Sequence, residues 1–218
     1  FAFGTAGVGA KGGATAATLP AWQTVSAQDA NSISVDPQFV SPVDFHLKSV
    51  AGRPGPMGAR VFDAITSPAI DRADPSYPVD AELAPNGGRA DLGAYGTTSY
   101  ASLTPVVLAR VRGNNQTGPA GVQFPVPLEV VVTSQGSRPE PGVAVSFTVS
   151  LGGGSISTAS AATDGAGKAA TLLTPGPGSN SVVASLVTGG GAAPATFTAL
   201  GALWADSGFS ADESESAS

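Results

Sequence analysis

The sequence predicts an all-β protein, and its second half predicts a β-sandwich. In the run VAVSFTVS at residues 143–150, apolar residues alternate strictly with small or polar ones. A period of two indicates a strand with one buried face. Turn-forming runs flank such strands: SQGSRPEPG before this one, and DGAG and PGPGSN after it. Short strands at near-even spacing, with no helical period between them, are typical of a β-sandwich.

The same alternation predicts which side chains form the sandwich core. We expect Phe147 to point inward with Val145 and Val149, and the strand at residues 128–132 to supply a further inward row of Leu128, Val130 and Val132. We expect Phe197, on the closing strand, to belong to the opposite sheet.

Motifs in residues 105–201 follow one another in the order found in a known family. The chain has a glycine-rich lead-in, a PL-x-V-V strand, a P-G-V-x-V-x-F segment, a GGGS turn, a TD-x-x-G-x-A turn and an A-T-F-T-A strand. This order resembles a bacterial Ig-like domain of the invasin/intimin type (group 1). The sequence departs from that family at residues 135–139, where an Asp-x-x-Gly-Asn turn is usual. The resemblance implies a rod-forming, non-catalytic surface module. The matching positions are Gly113, Gln116, Gly118, Gly121, Pro127, Leu128, Pro141, Gly142, Phe147, Gly153, Gly154, Ser155, Thr163, Asp164, Gly167, Ala169 and Phe197.

The first half carries short apolar pairs split by turns, followed by SPAIDRADP and PNGGRADLGAYG. This order resembles the C-terminal coils of secreted right-handed parallel β-helix proteins of the pectate-lyase-like kind. A solenoid needs a polar, turn-rich cap on its last coil, and the Pro, Gly and Asp density of residues 53–96 suits one. The matching positions are Trp22, Gln23, Asp29, Asn31, Ser32, Asp36, Pro37, Phe39, Phe45, Leu47, Ser67 to Asp71, Pro75, Pro85 to Arg89, Asp91 and Gly93 to Gly96.

The predicted fold class is therefore all-β: terminal coils of a right-handed parallel β-helix followed by an Ig-like β-sandwich. We expect residues 1–104 to form the end and cap of the β-helix and residues 105–201 the sandwich, with a short linker at 97–105. Residues 202–218 are acidic and Ser-rich and are expected to be disordered, although Trp204 could pack on the sandwich end.

Composition excludes several classes of function. The net charge is −6 and no Lys/Arg cluster exists, so nucleic acid is not an expected partner. The chain has no cysteine, which excludes disulfides and thiolate zinc sites. No apolar run approaches the roughly 18 residues of a spanning helix. Because the first residue is Phe1 rather than methionine, we expect a fragment or processed product, from which an upstream export signal could have been lost.

Candidate sites each have a plainer structural interpretation. His46 is the only histidine and is expected to face solvent or a groove rather than catalyse. The acid pairs Asp71/Asp74 and Asp80/Glu82 are expected to cap loop amides rather than hydrolyse glycosides. A β-helix lyase would need a Lys or Arg base and acidic side chains that hold calcium. The local candidates are Lys48, Arg53, Asp36 and Asp44, and we do not expect them to be catalytic. Calcium is considered at Asp164 and near Asp71–Asp80, but Asp164 is expected to form a turn instead. The aromatic residues Trp22, Tyr77, Tyr95 and Tyr100 are too sparse for an obvious glycan platform, and Trp22 and Tyr95 are expected to pack in the core or cap.

We therefore assign no catalytic, cofactor-binding or metal-binding residue and expect no cofactor. The function predicted is structural: a stalk, spacer or adhesion region of a bacterial secreted or cell-surface protein. Two alternatives stay open, the non-catalytic end of a polysaccharide-processing β-helix enzyme whose active coils lie upstream, and a carbohydrate-binding module. Expected partners are extracellular glycans or surfaces, or further copies of the chain through exposed β edges.

Overall fold

The computed structural model describes residues 7–189 and 191–203. The predictions for the acidic tail from Trp204 onward lie outside the described residues. Within them the chain is all-β apart from one α-helix and two single 3-10 turns. In chain order the elements are β1 (Gly9–Lys11), β2 (Ala14–Ala16), α1 (Leu19–Ser26), β3 (Phe39–Ser41), β4 (Asp44–Leu47), β5 (Arg53–Pro54), β6 (Arg60–Val61), β7 (Val107–Arg112), β8 (Gln116–Pro119), β9 (Leu128–Thr133), β10 (Ala144–Leu151), β11 (Ser155–Ile156), β12 (Ser160–Ala162), β13 (Lys168–Thr171), β14 (Leu173–Thr174), β15 (Gly178–Leu186) and β16 (Ala195–Ala202).

Eight of the ten strands from β7 to β16 form a sandwich of two facing sheets, and the other two, β11 and β14, pair with each other. One sheet has five strands in the order β12-β10-β15-β16-β8, and the other has three in the order β13-β9-β7. The first strand of the sandwich is divided between the two sheets, because β7 pairs with β9 whereas β8 pairs with β16. Strands β10, β15 and β16 then face β9 and β13, which is the arrangement of an Ig-like sandwich.

The core of the sandwich follows the sequence alternation. The prediction for β9 is confirmed, since Leu128, Val130 and Val132 are all 0% exposed. In β10 Val145 and Phe147 are buried as predicted, and Val149 is partly buried against the same cluster. The sandwich therefore buries a continuous apolar cluster built mainly from valine, alanine and a few large side chains.

The predicted sheet of Phe197 is wrong. Strand β15 pairs with β10 through Phe147↔Ala184 and with β16 through Val182↔Phe197, so all three strands belong to one sheet. Phe147 and Phe197 therefore line the same inner face, opposite the row from β9. Alternation indicates which face of a strand is buried, but it does not indicate which strands pair.

The chain enters the sandwich at one end and leaves it at the other. Val107, at the start of β7, is paired with Thr133 at the end of β9. Ala202, at the end of β16, is paired with Pro119 at the end of β8, which runs parallel to β16. Since β16 begins where β15 ends, at the pair Ala184↔Ala195, its last residues lie at the far end of the sheet.

The described part of residues 7–104, here called the first segment, does not show parallel β-helix coils. Its three strand pairs, β1-β2, β3-β4 and β5-β6, are all antiparallel hairpins of two to four residues per strand. Parallel pairing needs a crossover of roughly a dozen residues or more, whereas tight turns join these strands. The predicted strand around His46 is confirmed as β4.

Helix α1 is a feature that the sequence analysis did not predict. It begins after Thr18, whose Oγ1 accepts a hydrogen bond from the Ala21 amide at 3.3 Å, with Pro20 in its first turn. Both residues are ordinary helix-start signals. The helix has only eight residues, too few for a clear helical period in the sequence.

The core predicts a large difference between neighbouring positions of β10. Phe147→Ala should lower the free energy of unfolding by about 3–5 kcal/mol, because small neighbours cannot fill the void left by a ring that is 2% exposed. Thr148→Ser, on the exposed face, should change it by no more than about 0.5 kcal/mol. Denaturant titration of both variants measures the difference, and equal losses would contradict the assigned register.

Candidate functional site

The first segment meets the sandwich at a buried carboxylate. Glu140 lies between β9 and β10 and is 0% exposed. Its backbone amide donates to the Val132 carbonyl at 3.0 Å, which ties it to the sandwich. Its Oε2 accepts hydrogen bonds from the amides of Asn86, at 3.3 Å, and Gly87, at 3.2 Å. A side chain of the sandwich thus holds a loop of the first segment.

A second carboxylate approaches the same loop from the first segment. Asp71 lies so close to Gly87 that a Cβ atom on Gly87 would overlap its carboxylate. Asp71 Oδ1 accepts a hydrogen bond of 2.8 Å from Thr104 Oγ1. Asp71 and Glu140 therefore flank Gly87 from the two parts of the chain.

Two buried acids, Asp91 and Glu82, complete the cluster around the half-buried Asp71. Asp91 accepts from the Asp71 amide at 3.0 Å through Oδ1 and from the Ser102 amide at 3.2 Å through Oδ2. Glu82 Oε1 accepts from the amides of Asp91, at 3.0 Å, and Thr97, at 2.8 Å. We call Asp71, Glu82, Asp91 and Glu140 the acidic junction.

Burial and mutual repulsion change the acidity of the junction. Burial, reinforced by the negative charge of Glu82, raises the pKa of Asp91 to about 8. Burial also raises the pKa of Asp71 to about 7; the Thr104 hydrogen bond and Arg138 oppose this rise, and the charges of Glu140 and Glu82 add to it. Burial raises the pKa of Glu82 as well. The junction therefore binds protons at pH values where exposed carboxylates are fully ionised.

The second half of the segment predicted as a linker, Ala101 to Thr104, is buried. Leu103 and Thr104 are each 1% exposed. Leu103 donates its amide to the Gly52 carbonyl at 2.8 Å and accepts from Ser49 Oγ at 2.6 Å. Ser102 Oγ donates to the Leu47 carbonyl at 2.6 Å. The chain thus passes through the first segment before it enters the sandwich.

A second loop of the sandwich also reaches the first segment. A Cβ atom on Gly189, between β15 and β16, would lie 2.7 Å from the Ala51 carbonyl oxygen and 3.1 Å from the ring of Phe62. Gly189 and Glu140 lie in loops at the end of the sandwich where the chain enters. The first segment therefore contacts that end through two loops.

His46 is held in place rather than turned to solvent. Its Nδ1 lies 2.6 Å from Asp44 Oδ1, and its ring stacks on Tyr95 at 3.9 Å between centroids. Burial opposes ionisation of Asp44, but the hydrogen bonds and charge of His46 hold the pKa of that carboxyl below its ordinary value. His46 Nε2 is buried and has no partner among the described residues. No nucleophile among those residues completes this pair as a catalytic triad.

The two acids of each candidate pair, Asp71/Asp74 and Asp80/Glu82, have different surroundings. Asp71 and Glu82 enter the acidic junction, whereas Asp74 Oδ1 accepts from the Ser76 amide at 2.8 Å and Ser76 Oγ at 2.7 Å. Asp80 is exposed. For Asp74 and Glu82 the expected capping of loop amides is confirmed.

Three members of the lyase-like set have other partners. Arg53 forms a buried ion pair with Asp63, with Arg53 Nε 2.9 Å from Asp63 Oδ2. Asp36 binds the amide of Gln38 at 2.8 Å, and Asp44 is occupied by His46. Asp164 Oδ1 accepts from the amides of Ala166 and Lys168, each at 2.9 Å, as expected for a turn.

The four aromatic residues named above lie in three different places. Tyr95 and Tyr100 lie near His46, with ring centroids 6.5 Å apart. Trp22 lines a groove of about 770 Å³ together with Ile33, Phe39 and Leu92. Its Nε1 donates to Asp29 Oδ2 at 2.6 Å, so its polar atom is already bound. Tyr77 is exposed.

Sequence reasoning missed the two acids at the centre of the junction. Glu140 stands between Pro139 and Pro141, in a turn where an exposed acid is the usual expectation. Asp91 was matched only as a motif position. The one available signal was the number of acids in a segment rich in small residues, which does not reveal long-range contacts.

Two features are absent from the described residues. In residues 7–189 and 191–203 no group of three or more His, Cys, Asp or Glu side chains is arranged to hold a metal ion. No helix in that part of the chain is long and apolar enough to cross a membrane.

Comparison with known proteins gives partial structural likenesses. No protein-family model and no curated protein matches the chain. Among solved structures, the D00-D0 domain of intimin is 22% identical, with 44% of this chain and 43% of that chain covered and a TM-score of 0.30. The D0-D1 domain of intimin is 22% identical, with 44% and 45% covered and a TM-score of 0.30. Domains 4-9 of the surface layer protein SbsC are 14% identical, with 47% and 15% covered and a TM-score of 0.35. The chain thus spans less than half the length of each of these structures.

The close approach of Gly87 and Asp71 gives a prediction with an internal control. Gly87 and Gly58 have positive φ values of 61° and 78°, so alanine at either position strains the backbone by roughly 1 kcal/mol. At Gly58 a Cβ atom meets nothing within 4 Å, whereas at Gly87 it overlaps the Asp71 carboxylate. Gly87→Ala should therefore lower the free energy of unfolding by about 1–3 kcal/mol more than Gly58→Ala. Matched denaturant titrations measure this difference, and equal losses would show that the two groups are not in contact.

Proposed function

We propose that the chain is a non-catalytic structural region of a bacterial secreted or cell-surface protein, acting as a stalk, spacer or adhesion module. The observation that carries this proposal is the path of the chain through the sandwich. Entry near Val107 and exit near Ala202 lie at opposite ends. A module crossed from end to end adds its length to whatever precedes and follows it, as a spacer requires.

The contact between the two parts supports the same proposal. Glu140 and Gly189 contact the first segment at the end of the sandwich where the chain enters. The intervening residues Ala101 to Thr104 are buried rather than extended in solvent. A junction that is hydrogen-bonded and buried resists bending more than a flexible linker does.

The finer division of the chain is part of the proposal. We assign residues 1–104 to the end and cap of a β-helix-like segment, residues 105–201 to an Ig-like sandwich of the invasin/intimin type, and residues 202–218 to a tail. The sequence motifs support this division, and so does the separation of the two apolar clusters, one around Leu47, Ala69 and Ile70 and the other inside the sandwich.

A second candidate function is binding of a neutral glycan in the groove beside Trp22. Its volume, about 770 Å³, is in the usual range for ligand pockets, and it combines apolar side chains with Asp29, Ser32 and Ser34. Glycan-array screening of the intact chain, beside a Trp22→Ala variant, separates this candidate from a purely structural role.

Backbone ¹⁵N relaxation of the intact chain tests the spacer proposal. Because the two parts share a buried junction, amides of the first segment and of the sandwich should report one rotational correlation time and one diffusion tensor. Two distinct correlation times would mean that the parts tumble separately, and a rigid spacer would then be excluded.

A further inference from the structure

The acidic junction contains more acids than cations to balance their charge as anions. Asp71 is faced by Glu140 from the sandwich, by Glu82 and Asp91 from the first segment, and by the guanidinium of Arg138. The same guanidinium lies over Gly88, where a Cβ atom would overlap it. Among the described residues Arg138 is the cation that faces Asp71, and full ionisation of the four acids would leave uncompensated negative charge at a largely buried site.

Two carboxylate oxygens of the junction have no donor. Glu140 Oε1 and Glu82 Oε2 are buried and find no hydrogen-bond partner among the described residues. Glu140 is 0% and Glu82 is 5% exposed, so water does not reach them freely. Such unpartnered acceptors are costly unless a donor is added, and a proton on a neighbouring carboxyl group would add one.

Asp71 is the acid best placed to carry that proton. Thr104 Oγ1 donates to its Oδ1, which leaves Oδ2 available for protonation. Its carboxylate packs against Gly87, whose amide is bound to Glu140 Oε2 at 3.2 Å. Its own amide is bound to Asp91. A proton on Asp71 therefore lies between the acids of the two parts of the chain.

We infer that the acidic junction is a proton-dependent latch between the first segment and the sandwich: it is closed while Asp71 and its neighbours hold protons and loosens when base removes them. The inference goes beyond the proposed function and holds for any surface role of the chain. It assigns to the buried carboxyl groups a response to pH that the apolar core of the sandwich lacks.

The direction of the pH effect follows from the raised pKa values. Burial raises the pKa of Asp71 to about 7 and that of Asp91 to about 8, both from an ordinary value of 3.8. Acids with raised pKa values stabilise the folded junction fully below their ordinary pKa, and this stabilisation is lost as pH rises through the folded values. The latch therefore weakens between about pH 4 and 8 and stays weak above that range.

Hydrogen exchange of the intact chain tests the latch at defined amides. The amides of Asn86 and Gly87 report the contact with Glu140, and that of Val132, bonded to the Gly167 carbonyl at 2.8 Å, reports the sandwich core. Between pH 5.5 and 9, protection of the two loop amides, corrected for intrinsic exchange, should fall by at least about tenfold relative to Val132.

Asp71→Asn should make that fall at least about threefold smaller than in the wild type, because an amide keeps the acceptor for Thr104 and does not ionise. Asp91 still titrates in this variant, so part of the fall remains. Glu140→Gln, which keeps an acceptor for the loop amides, should reduce it too and serves if Asp71→Asn does not fold. Asp80→Asn, an equal chemical change at an exposed acid of the same segment, should behave like the wild type.

Three results would overturn the inference. Protection that does not depend on pH in the wild type would show that the junction does not respond to protons. An equal fall in the wild type and in both junction variants would place the response elsewhere. Restoration of protection at pH 9 by 5 mM calcium chloride would show that a divalent cation, not a proton, neutralises the cluster.

Discussion

A buried carboxylate that requires partners from another part of the chain is the constraint on which the rest of the structure depends. Glu140 is 0% exposed, and its outward hydrogen bonds go to the Asn86 and Gly87 amides of the first segment. A carboxylate without those amides would have to remain in water or lose its charge. The buried carboxylate of the sandwich therefore depends on hydrogen bonds from the loop at residues 85–88, and the position of that loop depends on the same hydrogen bonds.

The two parts of the chain are stabilised by different means. The sandwich buries a continuous apolar core that includes Phe147 and Phe197. The first segment buries a much smaller cluster and relies on hydrogen bonds from hydroxyl groups to backbone carbonyls, as in Ser67 Oγ to Pro37 at 2.6 Å and Ser49 Oγ to Leu103 at 2.6 Å. Such bonds fix loops in place without regular strands. They explain how a turn-rich segment can support a buried junction.

The sequence predicts the sandwich well and the junction poorly, for a physical reason. Strict alternation in β9 and β10 is a local signal, so the inward faces of Leu128 and Phe147 follow directly. The pairing of β15 with both β10 and β16 is not local, so the sequence did not indicate it and the sheet predicted for Phe197 is wrong. Capping by Asp74 could be predicted from its loop, whereas the meeting of Asp71 with Glu140 joins positions far apart in the chain. Parallel coils were inferred from motif resemblance, and the described hairpins do not show them.

Differential scanning calorimetry of the intact chain and of Glu140→Ala, at pH 6, tests the central claim most directly. If the carboxylate couples the two parts, the wild type unfolds in one transition whose calorimetric and van't Hoff enthalpies agree. Removing the carboxylate should then separate unfolding of the first segment, at lower temperature, from that of the sandwich. Two transitions in the wild type, or one unchanged transition in the variant, would contradict the account.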